Sequence, residues 1–352
     1  MIKIGFFDTK PYDKKWFSQI NEKYGFNIKF YESKLNPDTA SMSKGCEAVI
    51  AFVNDTINQE VIDILVQNGV KLIAMRCAGY NNIDFKYAYG RIHVVRVPDY
   101  SPYAVAEHAL AMLLTLNRKI HRAYIRTKEF NFNISGLEGF DVHGKTVGVI
   151  GTGKIGRTFM NVIAGLGPKI IAYDPYPVPN SDINYVSLET LFKESDIISL
   201  HCPLSKDTRY IINKETLSQM KDGVFIINTS RGALIDSEAL LEAIKERKVG
   251  GACLDVYEEE SDLFFEDASG EILDDDVLAR LISMPNVIIT SHQAFLTNEA
   301  LNNIAETTLK NIDEFINGNP LQNELCYKCI SKMYDKTHKE KRCFEIGCEV
   351  LK

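Results

Sequence analysis

"KTVGVIGTGKIGRTFMNVIAGLG", residues 145–167, decides how the rest of the chain is read. An apolar run ends at Gly151, Gly153 and Gly156 follow at GxGxxG spacing, and the pattern then turns helical. A lone GxGxxG says little, but a strand before it and a helix after it supply the context that a dinucleotide needs. Gly151 permits the tight turn, Gly153 lets a pyrophosphate approach the backbone, and Gly156 lets the helix pack closely on the strand. Free N–H groups at the helix start and the helix dipole attract the phosphates. Lys154 and Ile155 lie inside this fingerprint and are counted with its cofactor contacts. The next apolar run, "KIIAYD" (169–174), ends on Asp174, about 20 residues past the glycines. A carboxylate there accepts both ribose hydroxyls of NAD and repels the 2′-phosphate of NADP. No Arg or Lys follows in "DPYPVPNSD" (174–182), so NAD is the expected cofactor.

Outward from this stretch, strand-like runs alternate with helical patterns: "KIGFF", "EAVIAFV", "VKLIAM", "DIISLHCP", "VFIINTS", "GGACLDVY" and "NVIITSH". Several are continuously apolar and rich in Val and Ile, as in parallel strands covered on both faces. The alternation predicts an α/β fold with doubly wound parallel sheets. The fingerprint starts near residue 147, so a lobe of similar character precedes the cofactor domain. Between them, "VPDYSPYAVAEHALAMLLTLNRKIHRAYIR" (97–126) reads as one long helix. Ser101 suits its N-cap and Pro102 its first position. Leu110, Met112, Leu113, Leu114 and Leu116 make it apolar over much of its circumference, which suits a core helix or one between domains or subunits.

The chain has 352 residues, 45% hydrophobic and 25% charged, with formal net charge -7. That length suggests two domains, and the charge leaves no footprint for nucleic acid or an anionic membrane. No run approaches the roughly 18 apolar residues of a spanning helix. The start, "MIKIGFFDTK", lacks the features of a signal peptide, so a cytoplasmic protein is expected. Cys46, Cys77, Cys202 and Cys253 sit among apolar neighbours and read as buried free thiols. Cys326, Cys329, Cys343 and Cys348 crowd a basic C-terminal tail. Their spacing fits a zinc site only loosely, and no metal is expected.

The chemistry is read from strand ends, since residues beyond the carboxyl ends of parallel strands face the ligand crevice. His292 follows "NVIIT", Arg231 follows "VFIINTS", and Asp255 follows "GGACL", with Glu258, Glu259 and Glu260 beyond it. Each alone suits a structural role; together they make a working set for hydride transfer to a keto acid. No GxSxG elbow or HExxH motif supports a hydrolase or metalloenzyme.

"GTGKIG", "YDPY", "NTSRGALID", "DVYEEE" and "SHQAFLT", in this order, resemble the D-2-hydroxyacid dehydrogenase family over roughly residues 1–325. "CAGYNNID", "VPDYSPYAVAEHA", "FDVHGKTVGVIGTGKIG" and "DLFFEDASGEILDDDVLARL" resemble, more narrowly, its bacterial fermentative D-lactate dehydrogenases. The resemblance implies a Rossmann cofactor domain (100–297) inserted into a flavodoxin-like catalytic domain (1–99 with 298–330); a Cys- and Lys-rich extension (331–352) lies outside it. It implies Arg231, Glu260 and His292 as the catalytic set, so that Glu260 is the special acid of a carboxylate-rich run whose other members read as a solvated loop. Arg231 would fork the substrate carboxylate and C2 oxygen. His292 would pass its proton to that oxygen, and Glu260 would orient the imidazole and favour its charged form. Ala78 and Gly79 are implied to hold the substrate carboxylate through backbone N–H groups, with Tyr100 and Phe295 bordering a pocket for a small side chain. Asp255 is implied to touch the cofactor; Cys202, Pro203 and Thr229 are counted with it. The activity implied is pyruvate reduction to D-lactate with NADH by a homodimer or homotetramer. A dehydrogenase for larger 2-keto acids, such as 2-ketoisocaproate or phenylpyruvate, and an NAD-sensing binding protein are the alternatives.

Overall fold

A computed structural model describes residues 2–258, 264–265, 267–325 and 327. The chain divides into two compact units. One is drawn from the N-terminal part up to Ser101 and from Thr297 onward; the other is the continuous stretch Pro102–Leu296.

The terminal unit opens with β1 (Lys3–Phe6), α1 (Pro11–Asn21), β2 (Asn27–Phe30), β3 (Ala48–Ala51), α2 (Gln59–Gln67), β4 (Leu72–Met75), α3 (Phe85–Ala88) and β5 (His93–Val95). Its five parallel strands lie in the order β2-β1-β3-β4-β5. This is the flavodoxin-like order, with its switch point between β1 and β3. Every residue of β3 ("AVIA") and β4 ("LIAM") is buried, because these strands are covered on both faces.

The continuous unit follows with α4 (Pro102–Asn117), α5 (Ile120–Lys128), β6 (Thr146–Ile150), α6 (Lys154–Ala164), β7 (Lys169–Tyr173), α7 (Leu188–Glu194) and β8 (Ile197–Leu200). It continues through α8 (Lys214–Gln219), β9 (Val224–Asn228), α9 (Ser237–Lys245), β10 (Val249–Leu254), α10 (Asp276–Ser283) and β11 (Val287–Ile289). The chain then returns to the terminal unit as α11 (Asn298–Ile316). The second sheet, also parallel, has the order β11-β10-β9-β8-β6-β7. Its switch point falls between β6 and β8, where a doubly wound sheet binds its ligand. An isolated parallel bridge, Ala172↔Tyr185, extends the β7 edge. Alternate residues feed the two faces: Ile226, Ala252 and Leu254 join the core under α7–α10, whereas Ile227 and Cys253 join the core under α4 and α6.

The single long helix expected over the start of this unit is two helices. α4 buries Ala106, Ala109, Met112, Leu113 and Leu116, and α5 buries nothing. The break lies at Lys119, which adopts the left-handed conformation with φ 50°. Burial drives this. The apolar stripe ends at Leu116, and the buried Asn117 then takes Phe140 as its partner, its Nδ2 donating to the Phe140 carbonyl (2.7 Å) and its Oδ1 accepting from the Phe140 N–H (2.9 Å). Neither Gly nor Pro marks the stop. Two strands absent from the sequence reading are the short β2 and β5. Cys46, Cys77, Cys202 and Cys253 are buried and free, as expected. Glu260 and the tail cysteines Cys326, Cys329, Cys343 and Cys348 lie outside the described residues. Among the described residues, no helix is long and apolar enough to cross a membrane.

Candidate active site

β6 delivers the chain into the glycine-rich turn. Gly151 has φ 96°, and a Cβ there would meet the Cys202 backbone nitrogen at 2.6 Å. At Gly156 a Cβ would strike the Gly151 carbonyl oxygen at 2.0 Å, so only glycine lets α6 start this close to the strand. Gly153 differs: a Cβ there would meet nothing within 4 Å, so it faces open space. It is also the N-cap of α6 and brings no capping side chain to the first-turn N–H groups of Lys154, Ile155 and Gly156. Open space over an uncapped helix start is the geometry that accepts a pyrophosphate.

Asp174 stands at the end of β7 and faces this turn. Its Oδ2 accepts from the Thr152 N–H (2.7 Å) and from Thr152 Oγ1 (3.1 Å), and its Oδ1 accepts from the Tyr176 N–H (2.8 Å). The carboxylate is thus fixed, with a lone pair left on Oδ1. Across the switch point, Cys202 packs on Gly151, and burial pushes its thiol up to about 11. Pro203 is exposed beside it. Thr229, one residue past β9, has a buried Oγ1 with no hydrogen-bond partner among the described residues, and the buried His201 Nδ1 likewise has none among them. Orphaned buried polar atoms at strand ends, together with the open cradle at Gly153, fit a bound dinucleotide.

Three strands end level. The register pairs Leu254 with Asn228 and with Ile289, so the segments that follow β9, β10 and β11 leave the sheet along one rim. The first carries Arg231, the second Asp255 and the third His292. Asn228 fixes the first turn, its Oδ1 accepting from the Ser230 N–H (3.1 Å) and its Nδ2 donating to the Arg231 carbonyl (2.8 Å). The Arg231 guanidinium donates through Nη1 to the Ser230 carbonyl (2.7 Å), and no carboxylate pairs with it among the described residues.

Asp255 shapes the third segment. It has no exposed surface. Its Oδ1 accepts from Thr290 Oγ1 (2.6 Å) and the Gln293 N–H (2.9 Å), and its Oδ2 accepts from the Ala294 N–H (2.9 Å). Its carbonyl accepts from the His292 N–H (2.7 Å). This clamp holds His292 in the left-handed region, φ 48°, a conformation that costs a non-glycine residue energy unless its surroundings impose it. His108, on α4, completes the group, its Nε2 lying 3.1 Å from Thr290 Oγ1 and 3.4 Å from Asp255 Oδ1. Asp255, expected as a cofactor contact, therefore spends its carboxylate on the loop that carries His292. The His292 ring lies 5.9 Å from that of Phe265, which in turn lies 6.4 Å from the buried Phe295.

The acidic stretch needs one correction. Glu258, expected in a solvated loop, is partly buried and accepts a short hydrogen bond from the Tyr210 hydroxyl; Arg209 Nη2 stands 3.7 Å away. The backbone there lies tight on the Arg231 turn, for a Cβ on Gly232 would meet the Tyr257 carbonyl oxygen at 1.9 Å. In the terminal unit, Ala78 and Gly79 form the turn after β4, and their N–H groups have no protein acceptor among the described residues. Tyr100 closes that unit's first segment, its carbonyl accepting from Asn303 Nδ2 (2.7 Å).

Residues 110–294 match the family model for the D-isomer specific 2-hydroxyacid dehydrogenase, NAD binding domain. The chain is 51% identical to the D-lactate dehydrogenase of Escherichia coli over 92% of its own length and 100% of that protein. The chain belongs to the D-isomer specific 2-hydroxyacid dehydrogenase family. Among solved structures it is similar to the pyruvate reductase of Chlamydomonas reinhardtii, with TM-score 0.88 and 43% identity over 92% of this chain and 98% of that one. It is also similar to a D-2-hydroxyisocaproate dehydrogenase, with TM-score 0.83 and 31% identity over 92% and 99%. The residues matched by the NAD binding domain model fall within the Pro102–Leu296 stretch, and the protein is an NAD-dependent 2-hydroxyacid dehydrogenase. Asn228, Thr290 and His108 support this site although sequence reading passed over them. The strand-end rule that selected Arg231 would have reached Asn228; the other two are found only through contacts distant in sequence.

Proposed function

We propose that this enzyme interconverts pyruvate and D-lactate with NADH and NAD, in the cytoplasm and as a homo-oligomer. The observation that carries the reading is the rim of the NAD-binding unit. A guanidinium without a carboxylate partner among the described residues and a histidine whose backbone is clamped by Asp255 follow strands that end level. The high identity to a D-lactate dehydrogenase supports pyruvate, and the lower identity to a D-2-hydroxyisocaproate dehydrogenase makes a larger side chain the lesser reading. The exposed Phe130, Phe132 and Ile134 beyond α5 support self-association.

Arg231 is assigned to the substrate carboxylate and C2 oxygen, for which its planar fork is suited. NADH, when bound, supplies the hydride. His292, protonated, gives its proton to the C2 oxygen in reduction and takes it back in oxidation. Glu260 is assigned as the carboxylate that orients His292 and favours its charged form. Ala78 and Gly79 offer unpaired N–H groups to the substrate carboxylate. Tyr100 and Phe295 are assigned to the border of a small side-chain pocket. Gly151 to Gly156 cradle the pyrophosphate, Asp174 accepts the ribose hydroxyls, and Cys202, Pro203 and Thr229 complete the cofactor contacts; Asp255, without exposed surface, serves the site through the His292 loop instead. The catalytic domain is assigned to the terminal unit.

A panel of 2-keto acids with NADH and with NADPH tests the reading. Pyruvate is expected to give the highest kcat/KM, NADH to be preferred strongly, and Asp174→Ala to narrow that preference. Faster turnover of phenylpyruvate or 2-ketoisocaproate would favour the second reading; binding of NADH without turnover would favour a sensor.

A further inference from the structure

The turn Cys77–Tyr80 is flanked by two arginines in different electrostatic states. Arg76, fully buried, stands 3.6 Å from Asp8 and 3.4 Å from Asp13, donates to the Asp8 carbonyl at 2.8 Å, and lies over the Phe52 ring at 3.9 Å. Its charge is answered inside the protein. Arg96, just past β5, is partly buried and pairs with no carboxylate among the described residues. Its guanidinium donates to the Ala78 carbonyl (2.7 Å) and lies over the Tyr80 ring, 4.9 Å from the centroid.

The first of those contacts has a geometric consequence. The Ala78–Gly79 peptide is trans, as is every peptide of the described chain. In a trans peptide the C=O and N–H point in opposite directions. Pinning the Ala78 carbonyl toward Arg96 therefore turns the Gly79 N–H away from it, and that N–H has no acceptor among the described residues. Without that bond the peptide plane could rotate and offer its carbonyl where an anion is to be bound.

The frame behind Arg96 is rigid. Its N–H donates to the Asn323 carbonyl (3.2 Å) and its carbonyl accepts from Asn311 Nδ2 (3.0 Å), while Asn323 Nδ2 donates to Asn311 Oδ1 (2.8 Å). The next N–H, of Val97, donates to the Cys77 carbonyl (3.2 Å). Arg96 is thus anchored to α11 and to the segment after it, and it grips the turn at both ends.

We propose that Arg96 is the positioning residue of the substrate-carboxylate turn. It aims the Gly79 N–H, and its unneutralised charge makes the turn a better seat for a carboxylate. This rests on the reading that Ala78 and Gly79 bind that carboxylate. The role is one of ground-state and transition-state binding alike, so it acts on KM and leaves kcat nearly alone.

The test uses the full chain with Arg96→Met and Arg96→Lys, pyruvate and NADH. Loss of a charge-assisted contact predicts that Arg96→Met raises KM for pyruvate, and Ki for the isosteric anion oxamate, by about 10-fold or more. Its kcat should fall no more than about 3-fold, and NADH affinity, followed by nucleotide fluorescence, should be unchanged. Arg96→Lys keeps the cation and one donor but loses the fork and the stacking, and should fall between parent and Met variant. If Arg96→Met does not fold, the Lys variant carries the same comparison. An unchanged KM and Ki would overturn the proposal, as would equal losses in kcat, NADH affinity and melting temperature, which mark a merely structural arginine. A parent enzyme that turns over no 2-keto acid would instead overturn the functional reading and this proposal with it.

Discussion

At the scale of single residues, two acids of one short stretch are assigned different roles. Glu258 is tied to Tyr210, a partner 48 residues earlier, and this hydrogen bond raises the tyrosine's pKa. Glu260 is the acid assigned to His292, and removing its charge while keeping its shape isolates that role. In Glu260→Gln the protonated imidazole of His292 loses the counter-charge assigned to it. Pyruvate reduction needs the protonated imidazole, so its alkaline limb should move to lower pH; the acidic limb of lactate oxidation should move the same way. Profiles of kcat/KM against pH for Glu260→Gln and Glu259→Gln check this, and an equal shift in both would leave only a diffuse field. His201 gives a second prediction, on stability. Burial holds its imidazole down at about 3, against 6.5 for the free group. Between those values the unfolded chain takes a proton that the folded chain refuses. Stability from this group is complete above 6.5 and is lost as pH falls, by up to about 1.4 kcal/mol per unit. Denaturant midpoints between pH 7 and 4 should therefore fall less steeply in His201→Gln than in the parent; parallel slopes would count against it.

At the scale of elements, the break between α4 and α5 rests on one left-handed lysine. Lys119→Gly removes the Cβ strain at φ 50° and should stabilise the protein by up to about 1 kcal/mol, read as a raised denaturant midpoint at unchanged slope. Lys119→Val should destabilise it by a similar amount. This break was invisible in the sequence because helix-forming residues run straight through it; only the end of the apolar stripe at Leu116 hinted at it. β2 was missed for a related reason. As an edge strand it alternates exposed and half-buried positions, and "NIKF" offers no continuous apolar run. β5 is three residues long. The central strands were legible because burial on both faces demands unbroken Val, Ile, Leu and Ala. The glycine-rich turn was legible because Gly151 and Gly156 are required by backbone geometry that no other residue tolerates. The clamp on His292 was not: Asp255, Thr290 and His108 come from three elements, and His108 lies 182 residues from Thr290. Contacts that distant leave no local pattern.

At the scale of the whole molecule, the proposed chemistry draws on residues of both units. Each is an open parallel sheet with functional segments beyond its strand ends. The Pro102–Leu296 unit carries the cradle at Gly153, the fixed Asp174 and the rim of Arg231 and His292; in the terminal unit the N–H groups of Ala78 and Gly79 have no acceptor among the described residues. The proposed reaction delivers hydride to pyruvate with one handedness. Its most direct test is chiral analysis of the product formed by the purified full chain from pyruvate and NADH. D-lactate, accumulating in step with NADH consumed and lost in His292→Ala, is the result predicted; L-lactate, or a racemic product, would contradict the account.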